Sequence, residues 1–282
     1  MSEPTILDRI VAQRRLDVEA AKKAVPEAAL RARLSTSPAA IDFIPRLQAA
    51  GPIALIAEIK RASPSKGDIA PGVDAAAQGR VYASAGAAAI SVLTEPAWFK
   101  GSLDDLLAVR QAVDYLGGNR PAILRKDFIV DPYQILEAAV YGADAALLIV
   151  ACLDDATLRS LIHECQQLDM EPFVEVNNAD EAERAVAAGA ALIGVNNRDL
   201  RSFTVDLSTT DRLAGIFPEH VLLAALSGIS TRADVERFQA AGARAVLVGE
   251  ALMSANNPAA KMRELLGIAD CRLPIADWED RA

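Results

Sequence analysis

Short apolar runs recur along the chain about every 20–35 residues, and amphipathic stretches fill the gaps, the rhythm of βαβ units in a parallel sheet. The runs predict strands at 54–59, 88–93, 121–125, 144–150, 172–176, 191–195, 221–226 and 245–249. They are largely apolar rather than alternating, as strands covered on both faces must be. The stretches at 74–85, 103–116, 132–141, 154–168, 179–188, 231–241 and 258–266 repeat at helical spacing and predict the covering helices. Gly86, Gly142, Gly189 and Gly242 each stand between such a helix and the next strand, the place of a left-handed C′ glycine. The recurring A-G-A or Y-G-A junction marks one unit used several times.

Eight strands in an αβ repeat predict the α/β class and a (β/α)8 TIM barrel over 53–268. A doubly wound sheet is the alternative, but no G-x-G-x-x-G follows a strand. Residues 1–52 precede the barrel. Thr5-x-x-Asp8 reads as a capping box, and Leu7, Val11, Arg14 and Val18 fall at helical spacing. A second short helix is expected at 42–49, stopped by Gly51-Pro52. Both read as extra N-terminal helices packed on the barrel. Residues 269–282 form a polar tail with no predicted element.

With 52% apolar residues the chain has material for a large core without covalent staples. Cys152, Cys165 and Cys271 are scattered, with neither a C-x-x-C pair nor zinc spacing, so no metal site is expected and a reduced, cytoplasmic protein fits. No run is long enough to span a membrane, and no signal-like block opens the chain. The net charge of −9 argues against nucleic acid as a partner. Yet Lys60, Arg61, Lys66, Arg125, Lys126 and Arg198 all follow apolar runs, so a basic pocket in an acidic body is expected, suited to a small anionic substrate. His163 and His220 are poorly placed for acid–base work, which leaves lysines and carboxylates.

In such a barrel chemistry sits at the C-terminal strand ends, and polar residues gather there. Strand 1 ends in Glu58 and Lys60, which share a face because side chains two apart do. Strand 3 ends in Arg125-Lys126-Asp127, strand 5 in Glu175, strand 6 in Asn196-Asn197-Arg198-Asp199. Each has a structural alternative: Lys126 and Asp127 as a loop-holding ion pair, Glu175 as a helix cap in competition with Asn177, Asn178 and Asp180, and the asparagines as turn formers. Ser227-Gly228 and Gly249-Glu250 end strands 7 and 8, where glycines let backbone approach a ligand and where this fold binds phosphate.

The segments AEIKRASPSKG (57–67), SVLTE (91–95), LRKDFIVDPYQI (124–135), FVEV (173–176), IGVNNRDL (193–200), LSGI (226–229) and VGEALM (248–253) resemble indole-3-glycerol phosphate synthases, in family order through nearly the whole barrel. The resemblance implies ring closure, decarboxylation and dehydration of 1-(2-carboxyphenylamino)-1-deoxyribulose 5-phosphate in tryptophan biosynthesis, with no cofactor. It implies Lys126 as the acid at the ketone oxygen and Lys60 as counter-charge to the anthranilate carboxylate. It implies Glu175 for the dehydration, with Glu58 and Asn196 positioning the anilino nitrogen and hydroxyls. Ser63, Arg198, Ser227, Gly228, Gly249 and Glu250 match substrate- or phosphate-contacting positions. One place departs: the family's glutamate before Ser-Gly is Leu226 here, so one hydrogen-bonding contact is expected to be absent. Two other readings stand beside this one, a Schiff-base aldolase using Lys126 or Lys60 on a sugar phosphate, and a phosphate-ligand-binding barrel with weakened catalysis. A monomer or homodimer is expected.

Overall fold

All eight predicted strands form, and they close on themselves. The computed structural model describes residues 4–268, so the predicted tail at 269–282 and Cys271 lie outside the described residues. The strands are β1 (Ala54–Ile59), β2 (Ala89–Leu93), β3 (Ala122–Lys126), β4 (Ala145–Ile149), β5 (Glu171–Val176), β6 (Leu192–Asn196), β7 (Leu222–Leu226) and β8 (Ala245–Val248). Every neighbouring pair is parallel, and β1 joins β8 to complete a closed barrel. Boundaries fall within about a residue or two of expectation, because apolar runs buried on both faces have sharp polar edges.

Helices alternate with the strands: α4 (Ala75–Ser84), α5 (Leu103–Val113), α6 (Pro132–Val140), α7 (Asp155–Gln167), α8 (Ala179–Ala187), α10 (Arg232–Ala240) and α12 (Pro258–Leu266). Gly86, Gly142, Gly189 and Gly242 all have positive φ, from 84° to 99°, as the junction pattern requires. Three elements are additional to the sequence reading: helix α2 (Glu27–Arg33), the short helix α9 (Ser208–Leu213), and a hairpin pairing Ala62–Ser63 with Gly67–Asp68. Glu250–Met253 makes a single helical turn, α11.

The N-terminal helices α1 (Ile6–Ala24) and α3 (Phe43–Gln48) pack on the barrel. Thr5 and Asp8 form the expected capping box, each accepting from the other's backbone N–H. The buried stripe of α1 is Leu7, Ile10, Arg14 and Val18; Val11 is only half-buried. Leu7 reaches the upper rim beside Glu175 and Asn196. Phe43 of α3 meets Phe173 inside the barrel, ring centroids 6.3 Å apart, and closes its floor. The extension thus touches both ends of the barrel.

Candidate active site

Period-two alternation turns the same set of residues inward on every strand. The last inward residues of the odd strands are Glu58, Lys126, Glu175 and Leu226; those of the even strands are Leu93, Ile149, Asn196 and Leu247. All eight line one cavity of about 530 Å³. Three of the four odd strands therefore end on an ionisable group at the cavity base, and the fourth ends on leucine. Side chains from alternate strands share a layer in this fold, so the three charges belong together by construction.

Lys60 folds back so that its Nζ lies 2.7 Å from Glu58 Oε1. Lys126 Nζ donates to Glu175 Oε2 at 3.3 Å, and Asn196 Nδ2 donates to Glu175 Oε1 at 2.8 Å. Glu58 and Glu175 are 4% and 2% exposed, so neither carboxylate has much water to solvate it. Burial opposes the charge on Glu58, but Lys60 and then Lys126 outweigh it and hold its pKa below the usual carboxylate value. Burial likewise opposes the ammonium of Lys126, and the carboxylates of Glu175 and Glu58 outweigh it, so its pKa is raised. The result is two lysines and two glutamates in charge balance, with spare ammonium protons at the cavity base.

Two expected members of the basic pocket lie elsewhere. Arg125 alternates to the outer face of β3, 1% exposed, and pairs with Asp127 and Glu137. Arg61 pairs with Asp105 on α5 and donates to the carbonyl of Val73. Neither lines the cavity: Arg125 sits one residue out of phase with Lys126 on β3, and Arg61, beyond the end of β1, is held away by Asp105. The Lys126–Asp127 ion pair, the structural alternative for these residues, does not form. Asp127 faces Arg125, Arg14 and Thr94 instead. Asn178, not Glu175, caps α8 by accepting from the N–H of Glu181.

The phosphate-type loops close the other side. Ser227 and Gly228 have φ of +66° and +78°, a left-handed turn rare for serine. Asn197 holds this turn in place: its backbone and side-chain N–H groups both donate to the carbonyl of Leu226. Thr210 of α9 fixes Asn197 by donating to its Oδ1. Gly249 makes room for Glu58, since a Cβ there would collide with the Glu58 carboxylate as it is placed. Gly228 is crowded by Val205 and Leu207, so both glycines answer to protein side chains as well as leaving room for a ligand. Glu250 lies 3.2 Å from Lys66 and 4.0 Å from Arg198, and Ser63 lines the cavity near them.

An apolar wall completes the cavity, with Phe99 and Phe128 6.0 Å apart beside Leu93 and Ile149. The buried carboxylate of Glu95 accepts from the N–H groups of Ala97, Trp98 and Phe99 and so sets the turn that presents Phe99. These residues escaped the sequence reading because single apolar residues after a strand carry no pattern.

A family model described as indole-3-glycerol phosphate synthase matches residues 7–265. A multifunctional tryptophan biosynthesis protein of Schizosaccharomyces pombe is 53% identical over 275 residues, covering 96% of this chain and 36% of that protein. An indole-3-glycerol phosphate synthase of Roseiflexus sp. is 50% identical over 265 residues, covering 93% of this chain and 98% of that protein. The chain thus spans about a third of the fungal relatives' length and nearly all of the bacterial one. Among solved structures, 3-hexulose-6-phosphate synthase from Salmonella typhimurium shares the fold, with a TM-score of 0.61 at 16% identity over 77% of this chain and 98% of that one.

Proposed function

The chain belongs to the indole-3-glycerol phosphate synthase family, and from that premise we propose that it converts 1-(2-carboxyphenylamino)-1-deoxyribulose 5-phosphate to indole-3-glycerol phosphate. The observation that carries this reading is the pose of Lys126, an ammonium between Glu175 and Glu58 at the base of a cavity walled by Phe99 and Phe128. Ring closure joins the aromatic carbon that bears the carboxylate to the ketone carbon, and the ketone oxygen gains charge. Lys126 donates a proton there, from a dry site where a fixed cation counts for more than it does in water.

Lys60, held by Glu58, offers the counter-charge for the anthranilate carboxylate until carbon dioxide departs. Dehydration then needs one proton delivered to the leaving hydroxyl and one removed from the ring. Glu175, hydrogen-bonded by Lys126 and Asn196, takes one of these two roles. The apolar wall takes the anthranilate ring. Ser63, Ser227, Gly228, Gly249 and Arg198 then serve the phosphate end, with Lys66 and Arg198 drawn from Glu250 toward the stronger anion.

Adding the synthetic substrate and following indole-glycerol phosphate by fluorescence tests the whole reading; saturating substrate without product would end it. Borohydride with substrate should leave no adduct on Lys126 or Lys60, because an adduct would instead mark an aldolase. The weakened-barrel reading rests on Leu226, 1% exposed and packed over Gly194. Leu226→Glu raising kcat/KM manyfold would favour it, while an unchanged or lower value removes it.

A further inference from the structure

We infer that Arg14, on the N-terminal helix α1, is a positioning residue for Lys126 and acts through Asp127. This rests on the reading of Lys126 as the acid. The starting point is an anomaly in α1. Its buried stripe runs Leu7, Ile10, Arg14, Val18, so a guanidinium occupies the middle of an apolar seam at 6% exposure. A buried ion pair is weak evidence for stability, since an apolar pair of similar volume in place of both partners is often as stable, although removing one partner alone is costly. Arg14 Nε has no hydrogen-bond partner among the described residues, a cost that a methionine there would not carry. Stability alone gives a poor account of this arginine.

What it secures is the residue next to the catalytic lysine. Arg14 Nη2 donates to Asp127 Oδ2 at 3.1 Å, while its Nη1 is steadied by Asp17 at 2.8 Å. The same oxygen of Asp127 accepts from Thr94 Oγ1 at 2.6 Å and from Arg125 Nη2 at 3.0 Å. Oδ1 accepts the N–H of Phe128 at 2.8 Å. Asp127 is thus gripped from β3, from the segment after β2 and from α1, and it fixes the backbone on which Lys126 and Phe128 both stand. Arg125 gives Asp127 only its Nη2, since Nη1 is engaged by the carbonyl of Gln134 and by Glu137 and Nε by Thr94 Oγ1. Arg14 is the grip that comes from outside the barrel.

The geometry it protects is sensitive. The Lys126–Glu175 contact is already long at 3.3 Å, and a small drift at 127 would break it. A displacement on the order of 1 Å in a reacting group costs about 100-fold in rate. The role therefore predicts a change in turnover per folded molecule with little change in substrate affinity.

The test uses the full chain with Arg14→Met and Arg14→Lys, assayed with the synthetic substrate beside Lys126→Ala. Arg14→Met should lower kcat, counted per folded molecule, about 10- to 100-fold with KM within about threefold; losing one partner of a buried pair also lowers the melting temperature, a change that does not by itself move kcat. Arg14→Lys should restore most of kcat, since an ammonium can still reach Asp127. Asp127→Asn combined with Arg14→Met should lose no more than the worse single variant, the non-additivity of residues acting as one unit. Wild-type kcat in Arg14→Met, or a change confined to KM, overturns the inference. If Arg14→Met does not fold, Arg14→Gln is read by the same split. Normal turnover in Lys126→Ala would bring down the underlying reading; an inactive Lys126→Ala beside a normal Arg14→Met brings down this inference alone.

Discussion

At the floor of the barrel Asp144 meets Arg120, and at the rim Glu175 meets Lys126; both are buried pairs, and they are built differently. Asp144 is wholly buried and saturated. Arg120 grips both its oxygens, and the backbone N–H groups of Ile41 and Ile123 complete them at 2.9 and 2.6 Å. Arg110 stands 3.9 Å away as a second guanidinium. At the rim the cations are lysines, each holding one carboxylate and keeping further protons turned toward the cavity. A planar fork that never releases its proton suits a fixed joint, and a compact ammonium with spare donors suits proton transfer. The difference teaches that burial of charge has two uses in one barrel, and the type of cation tells them apart.

The comparison breaks most directly at the rim. Lys126→Ala should lower kcat per folded molecule by about a thousandfold or more, as seen by steady-state kinetics. Wild-type kcat would refute the division. At the floor the opposite is expected: Asp144→Ala should cost about 3–5 kcal/mol by urea unfolding, because it strands Arg120 in a dry site, while kcat per folded molecule stays unchanged.

A third outcome concerns pH. Glu171 begins β5 at the floor, where burial and then Asp42 push its carboxyl up to about 7. The folded chain therefore binds a proton that the unfolded chain releases, so stability should fall as pH rises from about 4.5 to 7, by about 2–3 kcal/mol. Burial raises the carboxyl of Glu181 too, with the same sign, so the difference between wild type and Glu171→Gln isolates the term. The drop in melting temperature from pH 5 to pH 8 should be smaller in the variant than in the wild type. The smallest effect is Arg120→Lys, expected to cost about 1–2 kcal/mol because one ammonium cannot grip both oxygens. Neutrality there would blunt the contrast between the two cations.

The strands were legible because their apolar runs end in charges and glycines. The pairing of Glu58 with Lys60 was legible for the same reason, although Lys60 lies just past the end of β1 and folds back to make it. Helix α2 was not, since Leu30 is its one buried residue and seven residues carry little period. The hairpin at 62–68 was hidden because strands of two residues have no alternation to read. Lys126 and Glu175 are 49 residues apart, and Arg14 and Asp127 are 113 apart, so barrel closure and helix docking decide those contacts rather than local pattern. Arg125 shows the converse. Its charge suggested the pocket, and the period-two phase sent it to the outer wall.

Gly249 has a consequence for how this site can change over generations. Because its missing side chain is the space that the Glu58 carboxylate occupies, an alanine at 249 would dislodge that carboxylate from Lys60. Change at the two positions is therefore coupled: a side chain at 249 requires the Glu58 carboxylate to move, and a mutant library that samples them singly would miss every solution that needs both.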